Sequence, residues 1–479
     1  MKKLKLYLLA LAVSFGFLSC FEDLDDNFQP ASTLDIQNFI YRAMNIWYLY
    51  KPNVPDLAND RFATQEELNT FLNTFSSPED LFYNGLVDEN VKRFSFIVED
   101  FRVLEAALAG ISLSNGMEFG LVPFPDSQTN VFGYVRYIIP NSDAAAKGLE
   151  RGIIFNTING AQITVDNFSL LNSLTTYEIG LATFDGVTIT PTGETVSLTK
   201  SELVENPIHI ASTLNVEGQN IGYLMYNSFT ADFDAQLNNA FGQFKADGVS
   251  ELIIDLRYNG GGSVRSAIDM SSMVTGQFTG QIFSTEVWNP EIQAILEADN
   301  PEQLINRFTN TIRTGAAINS LNLNRVYVLT SARTASASEL VINGLDPYIE
   351  VILVGATTTG KFQASTTFYD APAPNFRRQE ANPSHFYAIQ PLIFTSANAN
   401  GFTGFIDGLP PTIEIFEDYS NLGILGNVTE PLLEAALDEI FGRSPKHLNT
   451  IQQKEAGNSK MNSPLYEGMY IDFENKKNL

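Results

Sequence analysis

Three short runs constrain this chain more than anything else in it: ELIIDL (251–256), RVYVLT (325–330) and EVILVG (350–355). Each is apolar at nearly every position and favours extended backbone, which is the pattern of a strand buried on both faces. Such strands need helices to cover them, and helical patterning lies between them. Phe233, Leu237, Phe241 and Phe244 recur on one helix face, with Gly248 placed to end it. SELVINGL (338–345) fills the interval between the second and third runs. With QNIGYLMYNSF (219–229) as a further strand, the alternation from about 205 to 440 implies an α/β layer architecture.

At 479 residues the chain is long enough for two or three domains. Residues 32–105 read as mostly helical. Ser32-Thr33-Leu34-Asp35 is a capping-box start, and Ile36, Ile40, Ala43, Trp47 and Tyr50 follow at helical spacing. A second helix is expected over Ala63 to Phe75. Residues 106–204 read as β-rich, with MEFGLVPF (117–124) and NVFGYVRYIIP (130–140) as strands. A short helix from Ala144 to Leu149, a strand from Ile153 to Ile158 and an Asn159-Gly160 hairpin turn come next. Residues 446–479 are polar and rich in lysine and asparagine, so they are expected to be a disordered tail.

The formal net charge is −26, from 29 Lys+Arg against 55 Asp+Glu, which excludes a nucleic-acid partner. The first 19 residues carry three lysines and then an apolar run from Leu6 to Leu18, the pattern of a secretory signal. Cys20 is the only cysteine and has no intrachain disulfide partner. Leu18-Ser19-Cys20 resembles a bacterial lipobox, with Phe17 where leucine is usual. The expectation is lipidation at Cys20, a tether over 20–31, and a Gram-negative envelope protein that meets the membrane only through that anchor. FEDLDD (21–26) resembles the acidic signals that carry some such lipoproteins to the cell surface. No other segment is long and apolar enough to cross a bilayer.

Three stretches carry chemistry. DLRYNGGGSV (255–264) places three consecutive glycines directly after a buried strand. Glycine runs cost backbone entropy, and after strands they turn tightly, cradle phosphates or present N–H groups to a developing oxyanion. No GK[ST] follows and no GxGxxG is present, which disfavours phosphate. TASASEL (334–340) offers three hydroxyls at a strand-to-helix turn, and ATTTGKFQAS (356–365) brings Lys361 to the end of the next strand. A serine needs a base to take its proton. His209, His385 and His447 stand in contexts that suggest nothing catalytic, and no G-x-S-x-G elbow occurs. A lysine can serve when burial favours its neutral form.

Taken in order, GYLMYNSF, LIIDLRYNGGGS, VLTSARTASASELVINGL and LVGATTTGKF resemble the C-terminal processing (tail-specific) serine peptidases over roughly residues 32–440. The resemblance implies a ClpP/crotonase-like α/β catalytic domain at 205–445, an inserted PDZ-like domain at 106–204 and a helical N-terminal region. It implies Ser336 as nucleophile, Lys361 as base, and oxyanion donors at Ala337 N–H and at Gly261 or Gly262 N–H. Ser338 would cap or pack. The family often has an orienting glutamine four residues after the lysine. Here that position is Ser365, and the nearby glutamine is Gln363. Asp346 falls near the position of an acidic residue seen in some members. Residues 117–160 resemble a PDZ domain of the bacterial protease type, which implies that Phe119, Gly120 and Leu121 hold a peptide tail by β-strand addition. The partners implied are protein or peptide substrates, with no cofactor and no metal. A catalytically silent peptide-binding lipoprotein on the same fold is the alternative, and an esterase or amidase on small acyl substrates a weaker one.

Overall fold

The structure is a computed structural model, and it describes residues 30–444 and 452–472. The signal sequence, Cys20 and His447 lie outside the described residues.

The N-terminal region is built on α1 (Thr33–Trp47) and α2 (Gln65–Leu72). The Ser32 side chain accepts the Asp35 N–H at 3.2 Å, and the Asp35 carboxylate accepts the Ser32 N–H at 3.0 Å, so the capping box read from sequence forms. Ile36, Phe39, Ile40, Ala43, Met44 and Trp47 lie on one face of α1 and are buried. Each large side chain among them contributes about 1.5–3 kcal/mol on leaving water. α2 starts at its Thr64 cap and is shorter than the expected 63–75.

A β-rich unit follows, made from β1 (Met117–Pro123), β2 (Val131–Ile138), β3 (Ile154–Ile158), β4 (Thr176–Phe184) and β5 (Ile189–Thr199), paired antiparallel in that order. Its short helix, Asp143–Ala146, is capped by Ser142. Phe119, Leu121, Val135, Phe155 and Ile179 form its own core.

The C-terminal half contains β6 (Ile208–Val216), β7 (Gln219–Tyr226), α3 (Asp234–Ala246), β8 (Glu251–Asp255), the two-residue β9 (Gly262–Ser263), α4 (Val264–Val274), β10 (Arg325–Thr330), α5 (Ala337–Leu345), β11 (Glu350–Gly355) and β12 (Gln363–Ser365). β7, β8, β10 and β11 pair parallel, with β6 antiparallel at one edge. The apolar runs that opened the sequence reading are the central strands of this sheet, buried on both faces apart from the first one or two residues of the second and third. α5 is buried along its whole length.

The C-terminal segment departs from expectation. Residues 452–472 are not a disordered tail. They contain β13 (Gly457–Asn458), which adds an antiparallel strand to β1, and β14 (Met469–Tyr470), which lies parallel between β9 and β12. Composition pointed the wrong way because strand addition bonds the main chain, and the main chain needs no apolar side chains to be satisfied.

Candidate active site

The first element of the site is the turn between β10 and α5. Ser336 has φ 67° and ψ −112°, a backbone region that L-residues rarely enter and that persists only when its surroundings hold it. They do. The Thr334 hydroxyl donates to Leu256 O at 2.9 Å, Ala335 N–H donates to Asn259 O at 3.1 Å, and Ser336 N–H donates to the Glu339 carboxylate at 2.7 Å. Ser336 is fully buried, and its hydroxyl makes no hydrogen bond among the described residues. Ala337 supplies the first N–H of α5, which has no acceptor inside the helix and lies at its partially positive end. The Ser338 hydroxyl donates to Asn259 O at 3.2 Å, so it ties the helix start to the glycine turn.

That turn is the second element. The Asn259 side chain donates to Tyr226 O at 2.8 Å and accepts Gly261 N–H at 2.8 Å. Gly261 has φ +114°, and a Cβ there would lie 2.7 Å from Ser336 Cβ and 2.5 Å from Gly468 O. Gly262 has φ +134°, and a Cβ there would lie 2.4 Å from Phe229 O. Both positions therefore require glycine. Of the two glycine amides proposed as oxyanion donors, that of Gly261 is already engaged by Asn259. Beneath the turn, the buried Arg257 guanidinium forks onto Glu430 at 2.6 and 3.0 Å and pairs with Asp255 at 2.9 Å.

The third element is the loop after β11. Lys361 is 1% exposed, and its ammonium lies 5.4 Å from the centre of the Phe94 ring, which the N-terminal region contributes. Glu339 joins this loop to the serine turn. One of its oxygens accepts the Thr358 hydroxyl at 2.5 Å and Gly360 N–H at 2.7 Å. The other accepts Ser336 N–H at 2.7 Å and Lys361 N–H at 2.9 Å. The amides of Ser336 and Lys361 thus share one oxygen and are no further apart than two hydrogen bonds end to end. Burial holds the Glu339 carboxyl above the usual carboxylate range, while the Thr358 hydroxyl and the three amides pull it back down. Sequence reasoning gave Glu339 no role. The S-x-x-E spacing was the available signal, since it is the capping-box pattern.

The remaining candidates sit around this core. The Ser365 hydroxyl lies 3.2 Å from Gln390 Oε1 and 3.0 Å from Met469 O. Gln363 donates from Nε2 to the Tyr50 hydroxyl at 2.8 Å, facing the N-terminal region, and its buried Oε1 has no hydrogen-bond partner among the described residues. Asp346 is exposed at the far end of α5 and does not join the site. Phe119 and Leu121 present the free edge of β1 to residues 456–459. The His209 ring lies 4.8 Å from that of Tyr137, tilted by 53°, and His385 bonds Asp370 at 3.1 Å. A cleft of about 340 Å³ runs from the β1 edge to the glycine turn, bordered by Glu118, Phe119, Gly261, Arg333 and Tyr466.

Comparison with known proteins gives concordant matches. Residues 220–371 match the model of peptidase family S41, and residues 35–96 match the model of the peptidase S41 N-terminal domain. The crystal structure of a protein from Bacteroides fragilis NCTC 9343 assigned to the S41 proteases superposes with a TM-score of 0.66 at 28% identity, covering 84% of this chain and 97% of that one. A carboxyl-terminal-processing protease of Picosynechococcus sp. is 24% identical over 267 residues, 55% of this chain and 58% of that protein. One of Synechocystis sp. is 28% identical over 165 residues, 34% of each. The chain thus spans less than two-thirds of these two relatives' own length.

Proposed function

From the premise that the chain belongs to peptidase family S41 and is of the serine peptidase type, we propose an endopeptidase that uses a Ser336–Lys361 dyad to cut proteins near their C-termini. The observation that carries this reading is the shared Glu339 carboxylate, which draws a strained serine and a buried lysine loop to one point. In the reaction, Ser336 Oγ attacks the scissile carbonyl carbon and its proton passes to Lys361 Nζ. The oxyanion is held by Ala337 N–H and the Gly262 amide. Lys361 then returns the proton to the departing amine, and water releases the acyl group with Lys361 again taking a proton. The β-rich unit is read as a PDZ-like domain whose β1 edge, at Phe119, Gly120 and Leu121, engages a substrate tail. Lipidation at Cys20 would anchor the enzyme in a Gram-negative envelope.

Casein hydrolysis tests the dyad. Ser336→Ala and Lys361→Ala should each abolish cleavage with unchanged circular dichroism, and wild-type cleavage by Ser336→Ala would refute the assignment. One observation favours the silent-binder alternative: the Ser336 hydroxyl is without a hydrogen-bond partner among the described residues. Covalent labelling of Ser336 by a fluorophosphonate decides between the two.

A further inference from the structure

The C-terminal segment follows the route that the proposed function assigns to a substrate. Ala456 N–H donates to Leu121 O at 2.8 Å and Ser459 N–H to Phe119 O at 3.1 Å, while Phe119 N–H donates to the Ser459 hydroxyl at 3.2 Å. The free edge of β1 is therefore filled by main chain in the manner of a bound peptide. Lys460 then anchors on an acidic pair, 2.7 Å from Glu205 and 4.0 Å from Glu118. Tyr466 lies under the guanidinium of Arg333, 4.7 Å from its ring centre, three residues ahead of the nucleophile.

From there the segment forms one wall of the cleft and reaches the glycine turn. Gly260 faces Glu467, and Gly468 O crowds the same point beside Gly261 as Ser336 Cβ does. Met469 and Tyr470 fill the space between β9, which follows the glycine turn, and β12, which follows Lys361. The contacts on the β12 side are regular. The Ser365 hydroxyl is 3.0 Å from Met469 O, Ile471 N–H donates to Ser365 O at 3.0 Å, and the Thr366 hydroxyl donates to Ile471 O at 3.0 Å. Met469 is fully buried.

We infer that residues 456–472 are an intramolecular pseudosubstrate: they occupy the peptide edge of β1 and the space between the glycine turn and β12, and hold the peptidase latent until an extended polypeptide displaces them. The inference rests on the peptidase reading. It also names the displacing chemistry. Gly457 has no room for a larger side chain, since a Cβ there would lie 3.0 Å from Met461 and 3.1 Å from Phe168. The competitor is an extended tail with small residues opposite β1 followed by a lysine or arginine for the Glu118–Glu205 pair.

The test uses the full chain with two independent releasing variants. Lys460→Glu sets a third carboxylate against Glu118 and Glu205, and Ser459→Pro removes the N–H that bonds Phe119 O. Amide hydrogen exchange at residues 119–121 reports release, and Ser336-dependent casein hydrolysis reports activity. Both variants should exchange faster at 119–121 and cleave at least 5-fold faster than wild type. A synthetic peptide of residues 455–472 should return them toward the wild-type rate. Faster exchange with wild-type or lower cleavage, in chains that still cut through Ser336, overturns latency alone. Faster exchange with no Ser336-dependent cleavage in any chain, wild type included, overturns latency and the peptidase reading together. Unchanged exchange and unchanged cleavage in both variants overturns the docking of the segment.

Discussion

The serine turn and the lysine loop meet at one carboxylate but are held in different ways. The serine turn is fixed by hydrogen bonds: Asn259 O, Leu256 O and the Glu339 carboxylate accept from it and hold its strained φ. The lysine loop shares Glu339 with the serine turn and bonds it through Thr359, whose N–H donates to Thr334 O at 2.9 Å and whose hydroxyl donates to Ala332 O at 3.0 Å. The Lys361 side chain depends instead on burial and on a ring from the far end of the chain. The proposed nucleophile is thus preorganised by local structure, whereas the proposed base packs against a ring of the N-terminal region.

The largest effect separates the two outright. Ser336→Ala should lower kcat/KM by at least about 10³-fold with the fold intact, measured on an unstructured protein substrate. The next probes the shared carboxylate. Glu339→Ala leaves three amides and a hydroxyl without their acceptor, at about 1–3 kcal/mol each when buried. It should destabilise the chain by at least about 3 kcal/mol in urea unfolding, while Glu339→Gln keeps one acceptor oxygen and loses less. Equal losses in the two variants would show that the carboxylate is not the bridge.

A third change isolates the lysine. Phe94→Leu keeps apolar volume but removes the ring face that favours the ammonium form, an interaction of about 0.5–2 kcal/mol. The ascending limb of the kcat profile, where the base loses its proton, should move to lower pH, with the rate of fluorophosphonate labelling at high pH unchanged. A fall in labelling at every pH would mean that Phe94 supports the serine turn as well.

A last contrast sets Glu339, with its four donors, against Asp269 on α4. Burial pushes the Asp269 carboxyl up to about 7; Arg265 opposes the shift and Asp234 adds to it. The native state therefore binds this proton more tightly than the unfolded chain, where an aspartate titrates near 3.9. Its contribution to stability is fully present below about pH 4 and is lost as pH rises to about 7. Asp269→Asn should accordingly gain on wild type by roughly 2–4 kcal/mol between pH 4 and pH 8. A constant difference across that range would contradict the burial argument.

Much of this was legible in the sequence because it is local. The buried strands, the glycine turn, the serine turn and the lysine loop each announce themselves within about ten residues, through apolar runs and through glycines that no other residue could replace. What was hidden depends on tertiary packing. Glu339 reads as a helix-start residue until the chain folds back 19 to 22 positions later to place Thr358, Gly360 and Lys361 on it. Phe94 reads as one more core aromatic. Residues 452–472 read as disordered because they lack periodicity and apolar content, and their order comes from main-chain pairing at two strand edges.

The central claim is that Lys361 activates Ser336. Peptide mapping by mass spectrometry after fluorophosphonate treatment tests it most directly. The full chain should carry one adduct, on Ser336, and Lys361→Ala should label about 10²–10⁴-fold more slowly. An adduct on another serine, or equal labelling rates in the two proteins, would contradict it.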